Sequence, residues 1–248
     1  DVESISLSPA ERAEVLIEVP DEGVTLVSSE PELGNVSDYE AVGGEDEFTI
    51  LRLEHAGSGE GGSGDSGSSG SSNGPGGTAN GSNSAGGPAS IADLGLPAQL
   101  VSIPELPPGS QERQMTLRGR QINGRSMDMD RIDLVSSAHQ PEVWQLSNLD
   151  SSPHNFHIHN AQFRILDIGG DPPPPEFAGW KDTVYTPPQR DVRIAVVFPA
   201  HEDDDSHLPY MFHCHLMLHE DDGMMGHFTV DVTEQEARDA LQGTGHDH

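Results

Sequence analysis

The sequence predicts an all-β sandwich in the second half of the chain, and three observations support this fold class. Short runs of β-branched and aromatic residues recur there, separated by Gly, Pro, Asn and Asp. Residues 171–175 include consecutive prolines, which remove backbone donors and therefore fit a loop. Residues 57–90 contain no large apolar side chain, so this stretch cannot build a core. The folded domain is expected beyond it.

The first four predicted strands share alternation of apolar and polar residues. Residues 114–119 alternate and end at a glycine, and residues 131–135 and 142–148 alternate in the same way. Residues 157–168 form a longer run, which we predict as a single strand. Alternation of this kind is typical of strands with one buried face.

The remaining predicted elements follow in order. Short runs separated by turn signals predict four further strands, at residues 182–185, 192–198, 210–214 and 226–232. Residues 233–241 are rich in Glu, Ala, Arg and Gln and predict a short closing helix.

Composition divides the chain into four parts. Residues 1–56 contain strand-like alternation at 13–19 and 48–53, but they are too few to close a sandwich and need a partner sheet. Residues 57–110 are rich in Gly, Ser and Pro and are predicted as a flexible linker. Residues 111–234 form the predicted sandwich, and residues 235–248 a polar tail.

The charge balance is strongly acidic. Asp and Glu number 42 against 12 basic residues, giving a net charge of −30, and Lys181 is the single lysine. We predict adaptation to high salt, where the Debye length is short and the acidic groups repel one another only at close range. The alternative is an ordinary acidic secreted protein. Nucleic acid is excluded as a partner, because phosphate binding needs clustered cations. No apolar run approaches the roughly 20 residues of a membrane span.

The only cysteine stands among residues that favour copper. His219 follows Cys214 by five residues and Met224 by ten. A thiolate, two imidazoles and a weak axial thioether make a blue-copper site. We assign the second imidazole to His154, and Cys214 is predicted to bind copper as a thiolate.

Strand geometry predicts a second set of ligands. Residues i and i+2 of a strand share one face while i+1 points to the other, so His213 and His215 should face away from Cys214. His157 and His159 repeat the same spacing. Four imidazoles without a carboxylate suit a copper cluster better than calcium or magnesium, and zinc stays chemically possible.

These motifs resemble those of the multicopper oxidase family, which includes laccases, bilirubin oxidases and cuprous oxidases. The resemblance implies that His154, Cys214, His219 and Met224 hold type 1 copper. It implies a type 2 copper ligand at His157. Type 3 ligands are implied for the remaining histidines, which are His159, His213 and His215.

Two residues depart from the family pattern without removing a ligand. Asn155 stands where proline is usual, and Asn160 stands where glycine is usual.

The resemblance covers roughly residues 114–232 and looks like the last domain of the three-domain bacterial and archaeal subgroup. It implies a cupredoxin-like Greek-key sandwich. A weaker resemblance at residues 7–15 makes residues 1–56 look like the last strands of an incomplete middle cupredoxin domain. In the family a first domain supplies two further His-x-His motifs. We therefore expect a partial chain that needs this domain from the same precursor or another chain.

The implied function is laccase-like oxidation. A small-molecule donor, phenolic or similar, would lose single electrons at type 1 copper, and Cys214 would carry them to a trinuclear centre that reduces O2. Glu220 matches a proton-delivering acid in the family, although it could equally be a surface carboxylate. Three alternative functions are oxidation of Cu(I) or Fe(II), electron transfer by a simple cupredoxin, and a role as an assembly factor in a relative that has lost copper. The resemblance implies that the protein functions outside the cytoplasm, either secreted or in a periplasm-like compartment.

Overall fold

Two five-stranded sheets dominate the computed structural model of the chain, which describes residues 3–37, 39–40, 44–54, 95, 97, 106–200 and 207–243. In chain order the strands are β1 (Val24–Ser28), β2 (Phe48–Leu53), β3 (Gln111–Arg118), β4 (Gln121–Ile122), β5 (Leu134–Ser136), β6 (Pro141–Asn148), β7 (His154–Ile158), β8 (Gln162–Ile168), β9 (Thr183–Thr186), β10 (Asp191–Val197), β11 (Tyr210–Cys214) and β12 (Met225–Val230). The helices are α1 (Met217–Asp221) and α2 (Glu234–Gly243), with a 3-10 turn at Pro175–Phe177.

The sheets have the orders β4-β3-β6-β10-β8 and β5-β12-β11-β7-β9. Pairs β3–β6 and β5–β12 are parallel, and the other pairs are antiparallel. Consecutive strands cross between the sheets, as from β6 to β7 and from β8 to β9. The predicted all-β sandwich is confirmed.

Aromatic side chains fill the space between the two sheets. Trp144 of β6 is fully buried and meets Phe156 and Phe212 of the opposite sheet edge to face, with ring centroids 6.2 Å apart in both pairs. Phe198 also packs on Trp144, at 5.9 Å. Such pairs add about 0.5–1.5 kcal/mol each beyond the burial of apolar area. The core therefore anchors β7 and β11, the strands that carry four of the eight predicted ligands.

The chain divides into two compact units. One comprises residues 1–13, 30–45 and 101–248, and the other comprises residues 14–29 and 46–100. Strands β1 and β2 pair antiparallel in the second unit. Most of the predicted linker, 57–110, and residues 244–248 of the predicted tail lie outside the described residues, so the domain boundaries stay predictions.

The strand predictions fail in two places, and a third strand, predicted at 131–135, is found at Leu134–Ser136 (β5). Residues 13–19 form no strand, and Val15, Leu16 and Ile17 are exposed. Alternation of apolar and polar residues gives a segment two different faces, but a β-strand also needs a neighbouring strand to hydrogen-bond with. Residues 157–168 form two strands rather than one, because Asn160 has a positive φ of 52° and turns the chain between β7 and β8. Asparagine is one of the few residues that adopt this conformation readily.

The predicted helix at 233–241 is confirmed as α2. Its start is fixed by a capping box, in which the Thr233 N–H and hydroxyl donate to Glu236 Oε2 and the Glu236 N–H donates back to Thr233 Oγ1. Strands β1 and β4 and helix α1 were not predicted. With two and five residues, β4 and α1 are too short to show a period.

Residues 3–13 lie against the sandwich within the first unit. Lys181 Nζ lies 2.7 Å from Glu11 Oε1, with side chains only 11% and 4% exposed. Arg12 donates from both terminal nitrogens to the two carboxylate oxygens of Asp182, at 2.8 and 2.7 Å. Charged groups hold this segment beside β7 and β9.

A buried carboxylate joins β3 to β6. Glu142 is 2% exposed and accepts hydrogen bonds from Arg113 Nε at 2.6 Å and from Trp144 Nε1 at 2.8 Å. Removing one partner of a buried ion pair leaves an uncompensated charge.

We expect Arg113→Met to lower the free energy of unfolding by about 3–5 kcal/mol, because Glu142 would keep its burial and lose its cation. Chemical denaturation measures this. Arg193→Met is the matched control: Arg193 lies on β10, pairs with Asp167 at 3.1 Å and is 41% exposed. The control should lose less than about 1 kcal/mol. Equal losses in both variants would contradict a special role for the buried pair.

Candidate metal centre

Three predicted ligands meet at one end of the second sheet. His154 begins β7 and Cys214 ends β11, and these strands pair so that Cys214 lies opposite Phe156. Helix α1 follows β11 and carries His219 back towards the thiol. The strand ends and the short helix bring together residues that lie 60 positions apart in sequence.

The donor atoms of this cluster have the spacing of ligands around one metal ion. Cys214 Sγ lies 3.7 Å from His154 Nδ1 and 3.5 Å from His219 Nδ1. The two imidazole centroids are 5.0 Å apart. Sulfur and nitrogen bonded to one metal at about 2.3 and 2.0 Å in tetrahedral geometry are separated by about 3.5 Å. The distances therefore fit a shared ion, and the donor set of one thiolate and two imidazoles suits copper.

Met224 lies next to this cluster through its backbone. Its carbonyl accepts from the Cys214 N–H at 3.0 Å, and its N–H donates to the His219 carbonyl at 2.9 Å. The side chain is fully buried in the core. The structure thus places Met224 beside two of the ligands, and its axial role stays a prediction.

The carboxylate of Asp150 orients the imidazole of His154. His154 Nε2 lies 2.9 Å from Asp150 Oδ2, which leaves Nδ1 directed to the thiol. Burial lowers the pKa of His154, against the opposing effect of Asp150, so the imidazole is neutral near pH 7 and can bind a metal. Asp150 was not predicted from the sequence, where its place four residues before the ligand is the only signal.

Burial also raises the pKa of the Cys214 thiol. Hydrogen bonds from the backbone N–H groups of Asn155 and Leu216 oppose this rise, because they stabilise negative charge on sulfur. A bound metal ion would favour the thiolate further.

A second cluster contains His157, His159 and His213, whose candidate ligand nitrogens all lie within 4.8 Å of one another. His157 and His213 are direct cross-strand partners on β7 and β11. Nε2 of His159 and Nε2 of His213 are 3.3 Å apart. The ring of His215 is 5.5 Å from that of His157 and 5.1 Å from that of His213. The four histidines predicted on the opposite side of Cys214 therefore come together.

The imidazoles of His157 and His213 are neutral near pH 7 and available for a metal. The pKa of His157 and that of His213 fall to about 4, mainly because of burial and then because of the neighbouring imidazoles. His157 Nδ1 lies 2.9 Å from both the Asp182 carbonyl and Thr183 Oγ1, which leaves Nε2 open. Within the described part of the chain, His213 Nδ1 is a buried nitrogen without a hydrogen-bond partner. Such an orphaned nitrogen fits a metal ligand.

Glu220 lies beside this second cluster. Its Oε2 is 3.4 Å from His213 Nδ1, without the geometry of a hydrogen bond, and 3.7 Å from His215 Nδ1. The side chain is 35% exposed and can exchange protons with solvent. This position suits the predicted proton delivery, which stays a prediction.

A cleft of about 1260 Å³ opens beside the first cluster, within the first unit. His154 and His219 form part of its wall, together with Leu33, Phe177, Leu216 and Leu218. Pockets for organic ligands measure about 300–1,000 Å³, so a small organic molecule fits. The cleft could not be predicted from the sequence, because the residues of its wall come from distant parts of the chain.

Taken together, the sandwich and its two donor sets define a copper protein of the cupredoxin type. The family model for multicopper oxidases matches residues 102–234, more than half of the chain. The chain belongs to the multicopper oxidase family. The predicted family and its cupredoxin-like fold are thus confirmed.

Individual relatives agree with this assignment. The chain is 40% identical over 113 residues to a multicopper oxidase, mco, of Staphylococcus haemolyticus, covering 44% of this chain and 24% of that protein. It is 33% identical over 113 residues to a laccase of Haloferax volcanii, covering 44% and 19%. It is also 30% identical over 138 residues to the cell division protein FtsP of Xenorhabdus nematophila, covering 54% and 28%.

A solved structure supports the fold. The McoA multicopper oxidase of Aquifex aeolicus superposes with a TM-score of 0.50 at 29% identity, covering 57% of this chain and 34% of that one. The chain spans between 19% and 28% of the length of the three curated relatives. Among the described residues, no helix is both long enough and apolar enough to cross a membrane.

We expect copper added to the chain to produce an intense visible thiolate charge-transfer band, which Cys214→Ser should abolish because serine offers no thiolate. Absorption spectroscopy measures this. Met217→Leu is the control, since Met217 is 77% exposed in α1 and belongs to neither donor set. An undiminished band in Cys214→Ser would contradict the assignment.

Proposed function

We propose that this chain is the copper-binding part of a laccase-like oxidase, which takes single electrons from small phenolic donors and reduces O2 to water. One observation carries the proposal. Cys214 contributes to the first donor set, while the residue directly before it, His213, contributes to the second. The two sets are therefore joined by a covalent path of one peptide unit.

Copper bound at these sites would supply one-electron acceptance from the donor and the four-electron reduction of O2. His154, Cys214, His219 and Met224 would hold type 1 copper. His157 would hold type 2 copper, and His159, His213 and His215 would hold the type 3 pair. The first-domain half of the trinuclear centre would come from further His-x-His motifs.

The protein groups have separate tasks in this proposal. The cleft beside His154 and His219 binds the donor, and its apolar wall excludes water from one side of the imidazoles. Cys214 with its neighbours His213 and His215 provides the electron path. Glu220, whose Oε2 lies 3.4 Å from His213 Nδ1 and 3.7 Å from His215 Nδ1, would pass protons towards the second donor set. Proton delivery is needed because reduction of one O2 to two waters consumes four protons.

Other candidates are weaker. A Cu(I) or Fe(II) oxidase would not use the apolar side chains of the cleft wall. An electron-transfer cupredoxin would leave the second donor set without a role. The similarity to FtsP adds a function in cell division as a candidate. A relative that had lost copper and served as an assembly factor would not require both donor sets. We also propose that the protein functions in high salt, which the acidic excess supports, and outside the cytoplasm, which the family resemblance implies.

Spectra and O2 uptake with a phenolic donor test the main proposal. The chain alone should show the blue band with little O2 uptake. The longer protein that includes the first-domain motifs should show both the band and O2 uptake. Copper binding without O2 uptake from a phenolic donor in the longer protein would leave the metal-ion oxidase and the electron-transfer cupredoxin, which O2 uptake with Cu(I) or Fe(II) as the donor separates.

We further expect Glu220→Gln in the longer protein to slow O2 uptake by about 10²-fold or more, because the amide cannot deliver protons, while the blue band persists. Stopped-flow reoxidation with a solvent isotope comparison measures this. Asp221→Asn is the matched control, since Asp221 is an adjacent exposed acid. Unchanged reoxidation in Glu220→Gln would show that Glu220 is a surface carboxylate without a part in the reaction.

A further inference from the structure

The backbone N–H of Asn155 donates to the sulfur of Cys214. The N···S distance is 3.4 Å, and both residues are almost completely buried, at 0% and 1% exposure. Asn155 directly follows the ligand His154. Proline at this position would have no N–H. The hydrogen bond therefore depends on the departure from the family pattern noted at this position in the sequence.

The side chain of Asn155 fixes the same peptide from the other direction. Its Nδ2 donates to the Pro9 carbonyl at 2.5 Å, and Ser8 Oγ donates to its Oδ1 at 2.7 Å. Ser8 is held in turn, because its N–H donates to Glu11 Oε2 at 2.7 Å and Glu11 pairs with Lys181. Residues 8–11 thus clamp the side chain whose own backbone points at the sulfur.

The carbonyl of Asn155 is also engaged, since it accepts from the His215 N–H at 2.6 Å. Three groups of one residue, its N–H, its carbonyl and its amide, are therefore held by Cys214, by His215 and by Ser8 with Pro9. A donor restrained at this many points cannot turn away from the sulfur when charge on the sulfur changes.

We propose that Asn155 is a positioning residue that raises the reduction potential of the copper held by Cys214. The inference rests on the proposed function, in that Cys214 must be a copper ligand. Hydrogen bonding around the cysteine sulfur is one of the factors that tune such sites. In the reduced, Cu(I) state the thiolate donates less electron density to the metal, so the sulfur is more negative. An N–H aimed at the sulfur stabilises this state more than the Cu(II) state.

The electron balance is that of a one-electron couple. Cu(II) with its thiolate gains one electron from the donor and becomes Cu(I), and no proton or bond to Asn155 is transferred. Loss of the N–H should weaken the preference for Cu(I) over Cu(II) by about tenfold, equivalent to about 59 mV for a one-electron couple. A higher potential would favour oxidation of donors that release electrons reluctantly.

The test compares three copper-loaded forms of the full chain: wild type, Asn155→Pro and Asn155→Ala. Proline removes the N–H. Position 155 can accept proline because the preceding residue, His154, has the extended strand conformation that proline requires of its neighbour. Alanine keeps the N–H and removes the bonds to Ser8 and Pro9. Redox titration followed through the visible band gives the potential of each form.

We expect the reduction potential of Asn155→Pro to be lower than that of the wild type by about 59 mV, which corresponds to a tenfold fall in the Cu(I)/Cu(II) ratio. Its charge-transfer band should move to lower energy. The Asn155→Ala potential should fall by less. An unchanged potential in Asn155→Pro overturns the inference while the blue band leaves the type 1 assignment intact. Equal falls in both variants overturn the role of the N–H. Absence of the band in wild type removes the type 1 assignment and this inference with it.

A second measurement covers the case in which Asn155→Pro does not fold. In the wild-type chain loaded with diamagnetic Cu(I), the amide proton of Asn155 should resonate at low field and exchange slowly with solvent. NMR detects both properties. A rapidly exchanging amide at an ordinary shift would overturn the inference without any variant.

Discussion

The register between β7 and β11 is the constraint on which the rest of the candidate centre depends. Cross-strand pairing sets His213 opposite His157 and Cys214 opposite Phe156. Because side chains alternate across a strand, a shift of one residue would exchange the faces of the thiol and its neighbouring imidazoles. The buried aromatic contacts of Phe156 and Phe212 with Trp144 oppose such a shift. Core packing therefore fixes the separation of the two donor sets.

Much of this centre could be predicted from sequence because its ligands follow short-range rules. Cys214 and His219 lie close along the chain, and the i, i+2 spacing of His213 and His215 requires only a strand. His154 was predicted from the chemistry of the donor set, which lacked a second imidazole, because spacing along the chain gives no partner for a distant residue. The axial role of Met224 was predicted from its spacing to Cys214, whereas the role of Glu220 follows from the resemblance, and the structure gives the positions of both residues only.

What sequence could not give depends on three-dimensional neighbours. Residues 13–19 alternate as a strand does, yet a strand also requires an adjacent edge in matching register. The turn at Asn160 leaves a weak signal, since asparagine permits a positive φ without requiring it. Asp150 and the clamp on Asn155 were missed for the same reason. Each is a contact whose partner is known only once the chain is folded.

The single lysine of this acidic chain gives its surface an unusual chemical property. Lys181 is the only side-chain amine, and it is 11% exposed and paired with Glu11. Amine-reactive reagents therefore find almost no side-chain target on the folded chain. Their reaction with Lys181 would require residues 3–13 to leave the sandwich. The amine is thus a built-in reporter of whether the segment that clamps Asn155 is in place.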